Sequence, residues 1–238
     1  MIELKNVTYQ IKENGRTKTI INNLSYSFKK GTITAITGHN GSGKSTLTKL
    51  IIGILQPTKG KIFFNGQDIT TLNINERANL GINYAFQQPV TFKGITIKDL
   101  IDIATQEKNS ISKACEYLSK VGLCAKEYVN RNFDATLSGG EQKRIELAIA
   151  LAKKGSCFIF DEPEAGIDLW SFERLNNLFE KHNTNIIVSH QEKVLKNADE
   201  ILVLKQGEIE FCGKTKDILP KISKNICGRI NNGGKDVR

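Results

Sequence analysis

The sequence predicts an α/β fold in which a mainly parallel sheet is covered by helices on both faces. Three observations carry that reading. Strand-like and helix-like runs alternate through the second half of the chain, the pattern of β–α–β units. The run Cys157–Phe160 is apolar throughout, as a strand buried on both faces requires. The chain has 238 residues, ample for one large core and too short for two such domains.

Taken in order, residues 1–30 read as strands. Ile2, Leu4 and Val7–Ile11 alternate, Asn14-Gly15 marks a turn, and Ile20–Phe28 alternates again. Thr32–Thr37 is a short β-rich run that ends at a glycine. Helical spacing follows over Gly43–Leu55. Pro57 and Gly60 break it, and Lys61–Phe64 resumes as strand before a turn at Asn65-Gly66. The segment from about 90 to 139 reads as a mostly helical insertion. Thr96-Ile97-Lys98-Asp99 starts a helix there, and Ile111–Val121 has helical spacing that ends near Gly122. Helices are expected over about Gly140–Lys154 and Leu169–His182, and strands over Cys157–Phe160, Asn185–Ser189 and Glu200–Leu204. One domain is expected over residues 1–220. Residues 221–238 are polar and basic, with Gly233-Gly234 near the end, and are expected to form a frayed tail.

Composition narrows the function classes. Apolar residues make up 39% and charged residues 25%, an ordinary soluble balance. The notable apolar run Leu50–Leu55, which contains Gly53, is far short of a membrane span. Met1–Lys5 does not open a secretory signal. A cytoplasmic location with no direct membrane insertion is the expectation. The net charge of +9 is spread along the chain, without interleaved aromatics and without helix-turn-helix or zinc spacing. No nucleic-acid partner is expected, and the lysines read as a solvated surface. The five cysteines form no CxxC pair, so neither a disulfide framework nor a structural zinc site is expected. Cys157 reads as a small buried hydrophobe.

The chemistry is concentrated in two motifs. Gly38-His39-Asn40-Gly41-Ser42-Gly43-Lys44-Ser45-Thr46 fits the P-loop pattern, with a strand before it and a helix after it. Its glycines let successive backbone N–H groups face one set of phosphate oxygens, and the helix N-terminus adds its positive dipole end. Lys44 is placed to reach the β- and γ-phosphates of a nucleoside triphosphate, and the Ser45 hydroxyl to ligate Mg²⁺. Cys157–Phe160 then delivers Asp161 and Glu162 at a strand end, where ligands sit in open α/β sheets. Asp161 is the candidate metal carboxylate, and Glu162 the candidate group that polarises the attacking water.

Leu137-Ser138-Gly139-Gly140-Glu141-Gln142 precedes that strand. With the P-loop, it makes the chain resemble an ATP-binding cassette (ABC-type) ATPase over nearly its whole length. The resemblance implies a P-loop NTPase fold with a mainly parallel core sheet, an antiparallel N-terminal β subdomain and a helical insertion subdomain. It implies a head-to-tail dimer in which Ser138, Gly139 and Gly140 of one subunit close over ATP held by the other. Gln87 resembles the Q-loop glutamine that joins the Mg²⁺ and water site to the helical insertion. Asp168 resembles the D-loop aspartate that crosses the dimer interface, and His190 the switch histidine that contacts the γ-phosphate. One position departs from the pattern. Ile11 stands where many transporter cassettes carry an adenine-stacking aromatic, with Tyr9 two residues earlier.

Within that family, Ala85-Phe86-Gln87-Gln88-Pro89-Val90 followed by Lys93-Gly94-Ile95-Thr96 resembles the ATPase subunit of SUF iron–sulfur cluster assembly (SufC-like). The stretch Asp161–Trp170 points the same way. The partner this resemblance implies is a soluble SufB/SufD-like scaffold protein. The alternative is the nucleotide-binding subunit of a membrane transporter. The partner-docking surface is expected to include Phe92 and its neighbours.

Overall fold

The computed structural model describes residues 1–13, 15–87, 92, 94–108, 110–164 and 183–230, with side chains described as far as residue 222. Two long strands open the chain, β1 (Ile2–Glu13) and β2 (Arg16–Phe28), paired antiparallel from Ile2↔Phe28 to Glu13↔Arg16. With β4 (Lys59–Phe64) and β5 (Gln67–Asp68) they form a four-stranded antiparallel sheet in the order β2-β1-β4-β5. Between β2 and β4 lie β3 (Ile33–Thr37) and helix α1 (Lys44–Ile52). The expected helix Gly43–Leu55 is thus shorter, because Gly53 takes a left-handed conformation that ends it.

After β5 come the short α2 (Ile74–Asn79) and β6 (Ile82–Ala85). The insertion holds α3 (Ile97–Thr105), α4 (Ile111–Lys120) and α5 (Ala125–Tyr128). The Thr96 start is a reciprocal cap. Its side chain accepts from Asp99 N at 3.1 Å, and Asp99 Oδ2 accepts from Thr96 N at 3.1 Å. Helix α6 (Gly139–Ala152) leads into β7 (Cys157–Asp161), and β8 (Thr184–Val188) follows. The expected helix Leu169–His182 lies outside the described residues. Then come α7 (Glu192–Asn197), β9 (Glu200–Lys205), β10 (Glu208–Lys214) and α8 (Thr215–Ile230).

The second sheet has the order β10-β9-β3-β8-β7-β6. Its five inner and far-edge strands run parallel, and β10 alone pairs antiparallel, with β9. Alternation divides β7 between two cores. Phe158 and Phe160 join the cluster of the helical insertion with Ile97, Ile101, Leu118 and Ile145. Cys157 and Ile159 face the cluster of α1 and the antiparallel sheet, with Leu47, Leu50, Ile51 and Ile62. Both faces of the strand are therefore covered, which is why Cys157–Phe160 is apolar without a break. Burial drives the Cys157 thiol up to about 12, so it behaves as a hydrophobe.

Helix α8 continues to Ile230, past the point where a frayed tail was expected to begin, despite Pro220 within it. Ile218 is buried, and Leu219 and Ile222 pack beside it against the α7–β9 edge, with Leu195 and Ile201. Fully burying a side chain such as Ile218 contributes about 2 kcal/mol, which fastens this part of the helix to the sheet edge. Residues 231–238 lie outside the described residues.

Arg77 of α2 is fully buried and serves the C-terminal end of α1. Its guanidinium donates to the carbonyls of Leu50 (2.6 Å), Ile51 (2.8 Å), Thr70 (2.9 Å) and Leu72 (2.9 Å). A cation at a helix C-terminus also meets the negative dipole end. Replacing it takes that donor from all four carbonyls, of which those of Leu50 and Ile51 are buried, and each buried carbonyl left unpaired costs about 1–3 kcal/mol. Arg77→Ala should therefore lower the urea unfolding free energy by about 3 kcal/mol or more. A change below about 1 kcal/mol would show that water replaces the guanidinium without penalty.

Candidate functional site

Three adjacent strands bring the expected residues to one sheet edge. β8 lies between β3 and β7, with Val188 opposite both Ile36 and Asp161. The P-loop leaves β3, the paired carboxylates leave β7, and Ser189-His190 leave β8, all at the C-terminal end. Gly38 opens the loop at φ 143°, and a Cβ there would lie 2.1 Å from the Leu204 carbonyl oxygen. Ser42 N donates to His39 O at 3.1 Å, which curls the loop. Gly43, at φ 103°, caps α1, so Lys44, Ser45 and Thr46 begin that helix.

Lys44 is buried, and its ammonium donates to the carbonyls of Gly38 at 2.8 Å and His39 at 3.0 Å. Burial lowers its pKa, and the charges of Glu162 and Asp161 oppose that shift. Asp161 is 3% exposed. Its Oδ2 accepts from the Tyr84 hydroxyl at 2.7 Å, while Oδ1 is buried without a protein partner. Burial raises the Asp161 pKa, and the Tyr84 hydrogen bond opposes it.

Glu162 takes the left-handed conformation at φ 47°, a strained choice for a residue with a Cβ. Its N–H donates to Val188 O at 2.9 Å. The carboxylate accepts from Gln87 Nε2 at 2.7 Å and lies 3.8 Å from His190 Nε2. Burial and the Lys44 charge lower the His190 pKa, and Glu162 opposes them. Gln87, Glu162 and His190 thus form one cluster beside the P-loop.

Ser138, Gly139 and Gly140 stand elsewhere, at the start of α6 in the helical layer. The Ser138 side chain accepts from Glu141 N at 3.3 Å, and Glu141 Oε2 accepts from Ser138 N at 2.7 Å. Ser138 and Gly139 are exposed. Asp168 lies outside the described residues. Tyr9 and Ile11 are both half-buried on β1, with Tyr9 packed against the core of the antiparallel sheet.

Sequence reading missed several residues of this edge. Tyr84 hides in the short strand β6, where a tyrosine reads as an ordinary β-former. Glu164 is buried, with Oε2 unpartnered and Oε1 accepting from the Ser189 hydroxyl. Burial raises its pKa. Lys143 and Glu146 bond to the main chain beside Gln87. Their one visible signal is a pair of opposite charges three residues apart on α6.

Comparisons with known proteins agree with this geometry. A family model described as ABC transporter matches residues 21–165. The uncharacterized ABC transporter ATP-binding protein MJ0035 of Methanocaldococcus jannaschii is 36% identical over 224 residues, 89% of this chain and 89% of its own length. The energy-coupling factor transporter ATP-binding protein EcfA1 of Mycoplasmopsis synoviae is 34% identical, over 92% of this chain and 85% of its own. The dimeric structure of MJ0796, a bacterial ABC transporter cassette, superposes with a TM-score of 0.83 at 27% identity, covering 90% of this chain and 99% of that one. Its post-hydrolysis state, bound to ADP and Pi, gives 0.81 at 26% identity with the same coverage. The matched region runs through the P-loop, the α6 serine–glycine turn and the β7 carboxylates alike, and it makes this chain a member of the ABC transporter family, an ATP-binding cassette that hydrolyses ATP.

Proposed function

We propose that the chain is the nucleotide-binding subunit of a membrane transporter, and that two copies close head to tail on ATP. The observation that carries the hydrolytic part is the cluster of Gln87, Glu162 and His190 beside Lys44. The transporter part rests on the relatives, which are named transporter ATP-binding proteins. The dimer rests on MJ0796, whose structure is dimeric. The SufC-like reading has less behind it. Part of the Ala85–Thr96 run and the Ala165–Trp170 stretch lie outside the described residues, and the relatives above give it no support. A cytoplasmic location suits a subunit docked on a membrane partner. Among the described residues no helix is long and apolar enough to cross a membrane.

In this reading the P-loop amides and the α1 N-terminus receive the phosphates. Lys44 exchanges the carbonyls of Gly38 and His39 for β- and γ-phosphate oxygens. Glu162 accepts a hydrogen bond from the attacking water and polarises it, Gln87 holds that carboxylate in place, and His190 contacts the γ-phosphate. Ser138, Gly139 and Gly140 of the second copy present another helix N-terminus to the same phosphates. Asp168 is assigned to the same interface. Half-buried Tyr9 and Ile11 offer the base a mixed aromatic and aliphatic surface. The residues fit Mg²⁺: Asp161 keeps one buried oxygen without a protein partner, and Ser45 and Gln87 add neutral oxygens, the hard donor set this cation prefers. Bound there, Mg²⁺ would neutralise phosphate charge.

Three outcomes follow from these roles. Lys44→Ala should weaken ATP binding about 100-fold or more by calorimetry, because the phosphates lose their main side-chain cation. Near-normal affinity would remove Lys44 from the site. Glu162→Gln should keep ATP affinity within a few-fold, lower kcat about 100-fold or more, and accumulate as an ATP-bound dimer in gel filtration. Substantial turnover would place the catalytic carboxylate elsewhere. Phe92 is 43% exposed next to the insertion, and an aromatic there suits a partner interface. Affinity capture from solubilised membranes should recover a multi-span protein in stoichiometric amount, and Phe92→Asp should lose it while ATP affinity stays unchanged. Recovery of a soluble scaffold instead would restore the iron–sulfur reading.

A further inference from the structure

The main chain that carries Gln87 is held by charges from another element. Phe86 N donates to Glu146 Oε1 at 2.7 Å. The Lys143 ammonium donates to Phe86 O, to Gln87 O at 3.4 Å, and to Glu146 Oε2 at 3.0 Å. The Lys143 side chain is 2% exposed and that of Glu146 13%. A buried ammonium and carboxylate therefore grip both the donor and the acceptors of the chain where it leaves β6. Such a pair is costly to bury and is retained only where its remaining hydrogen bonds are satisfied, as they are here by backbone.

The grip starts from α6, the helix that opens with Ser138, Gly139 and Gly140. That end is itself fastened. Ser138 and Glu141 cap each other, and the Tyr128 hydroxyl donates to Glu141. Lys143 and Glu146 lie one to two turns further along. The serine–glycine turn, the charged pair and the Phe86–Gln87 main chain thus form one continuous hydrogen-bonded unit. Its far end is the 2.7 Å bond from Gln87 to Glu162.

We infer that Lys143 and Glu146 are positioning residues for hydrolysis: they fix Gln87 against Glu162 and tie that contact to the position of α6. The inference rests on the role given to Gln87 above. Neither residue touches nucleotide, so their loss acts on turnover rather than on affinity. Movement of the α6 N-terminus, as when a second copy docks on it, reaches the catalytic carboxylate through this pair. Two discrete arrangements of one packed unit are enough to transmit such a change.

The test compares Lys143→Met, Lys143→Arg, Glu146→Gln and Gln87→Ala in the full chain, by steady-state hydrolysis and by calorimetric ATP affinity. Lys143→Met and Glu146→Gln should each lower kcat about 10-fold or more, with KM and ATP affinity within about 3-fold. Lys143→Arg should recover most of the rate, because its fork can still reach the same carbonyls. Gln87→Ala and Lys143→Met together should cost less than the product of their separate losses, since both remove the contact of Gln87 with Glu162. If Lys143→Met does not fold, Glu146→Gln and its double variant with Gln87→Ala carry the same comparison. Unchanged kcat in Glu146→Gln, equal losses of affinity and rate, or full additivity with Gln87→Ala would overturn the inference. If Gln87→Ala alone leaves kcat unchanged, the role of Gln87 falls and the inference falls with it. If Gln87→Ala lowers kcat and the α6 variants do not, the inference alone falls.

Discussion

The central constraint is the placement of β8 between β3 and β7. Ladder hydrogen bonds set Val188 opposite Ile36 on one side and Asp161 on the other. Three chain exits, far apart in sequence, then open at the same level. The P-loop, the carboxylates and His190 owe their proximity to that register. A parallel ladder fixes register along the whole strand, because slipping one residue would turn every buried side chain to the wrong face. In β8 all five residues are buried, so the penalty for slipping is shared by the entire strand.

This edge concentrates charge in a poorly hydrated place. Lys44, Asp161, Glu164 and Lys143 are each less than a tenth exposed. Burial pulls Lys44 down and pushes Asp161 and Glu164 up, so in each case the environment opposes ionisation. Protein partners offset that only in part. Tyr84 serves one oxygen of Asp161 and Ser189 one oxygen of Glu164, and the second oxygen of each carboxylate is orphaned. A fold tolerates such groups when a bound ligand's interactions with them depend on their being there. The antiparallel sheet, the helical insertion and α8 supply the covered surroundings that make these charges strong.

The P-loop and β7 were legible because each is contiguous. A glycine-rich turn between strand and helix declares itself within nine residues, and an apolar run that ends in two acids does so in six. Gln87 and His190 became visible through the resemblance, not through local chemistry, since one polar residue after a strand carries little information. Lys143 and Glu146 were not legible because their partner is the backbone of Phe86, which depends on how α6 crosses β6. Tyr84 and Arg77 share that problem, as each serves a group on another element. Helix α8 was not legible for a related reason. Its polarity is visible in sequence, but the apolar shelf of Leu195 and Ile201 that receives Ile218 exists only after folding.

Gly38 shows how such crowding shapes the room for sequence change. A Cβ there would collide with the Leu204 carbonyl, a backbone atom of β9 that no rotamer adjustment can move. The glycine is thus required by a neighbouring strand as well as by the phosphates. A version of this protein that had lost all affinity for nucleotide would still be held to glycine at position 38 while β9 stayed where it is. Tolerance of other side chains there would have to begin with a displaced β9, so the two segments can change only together.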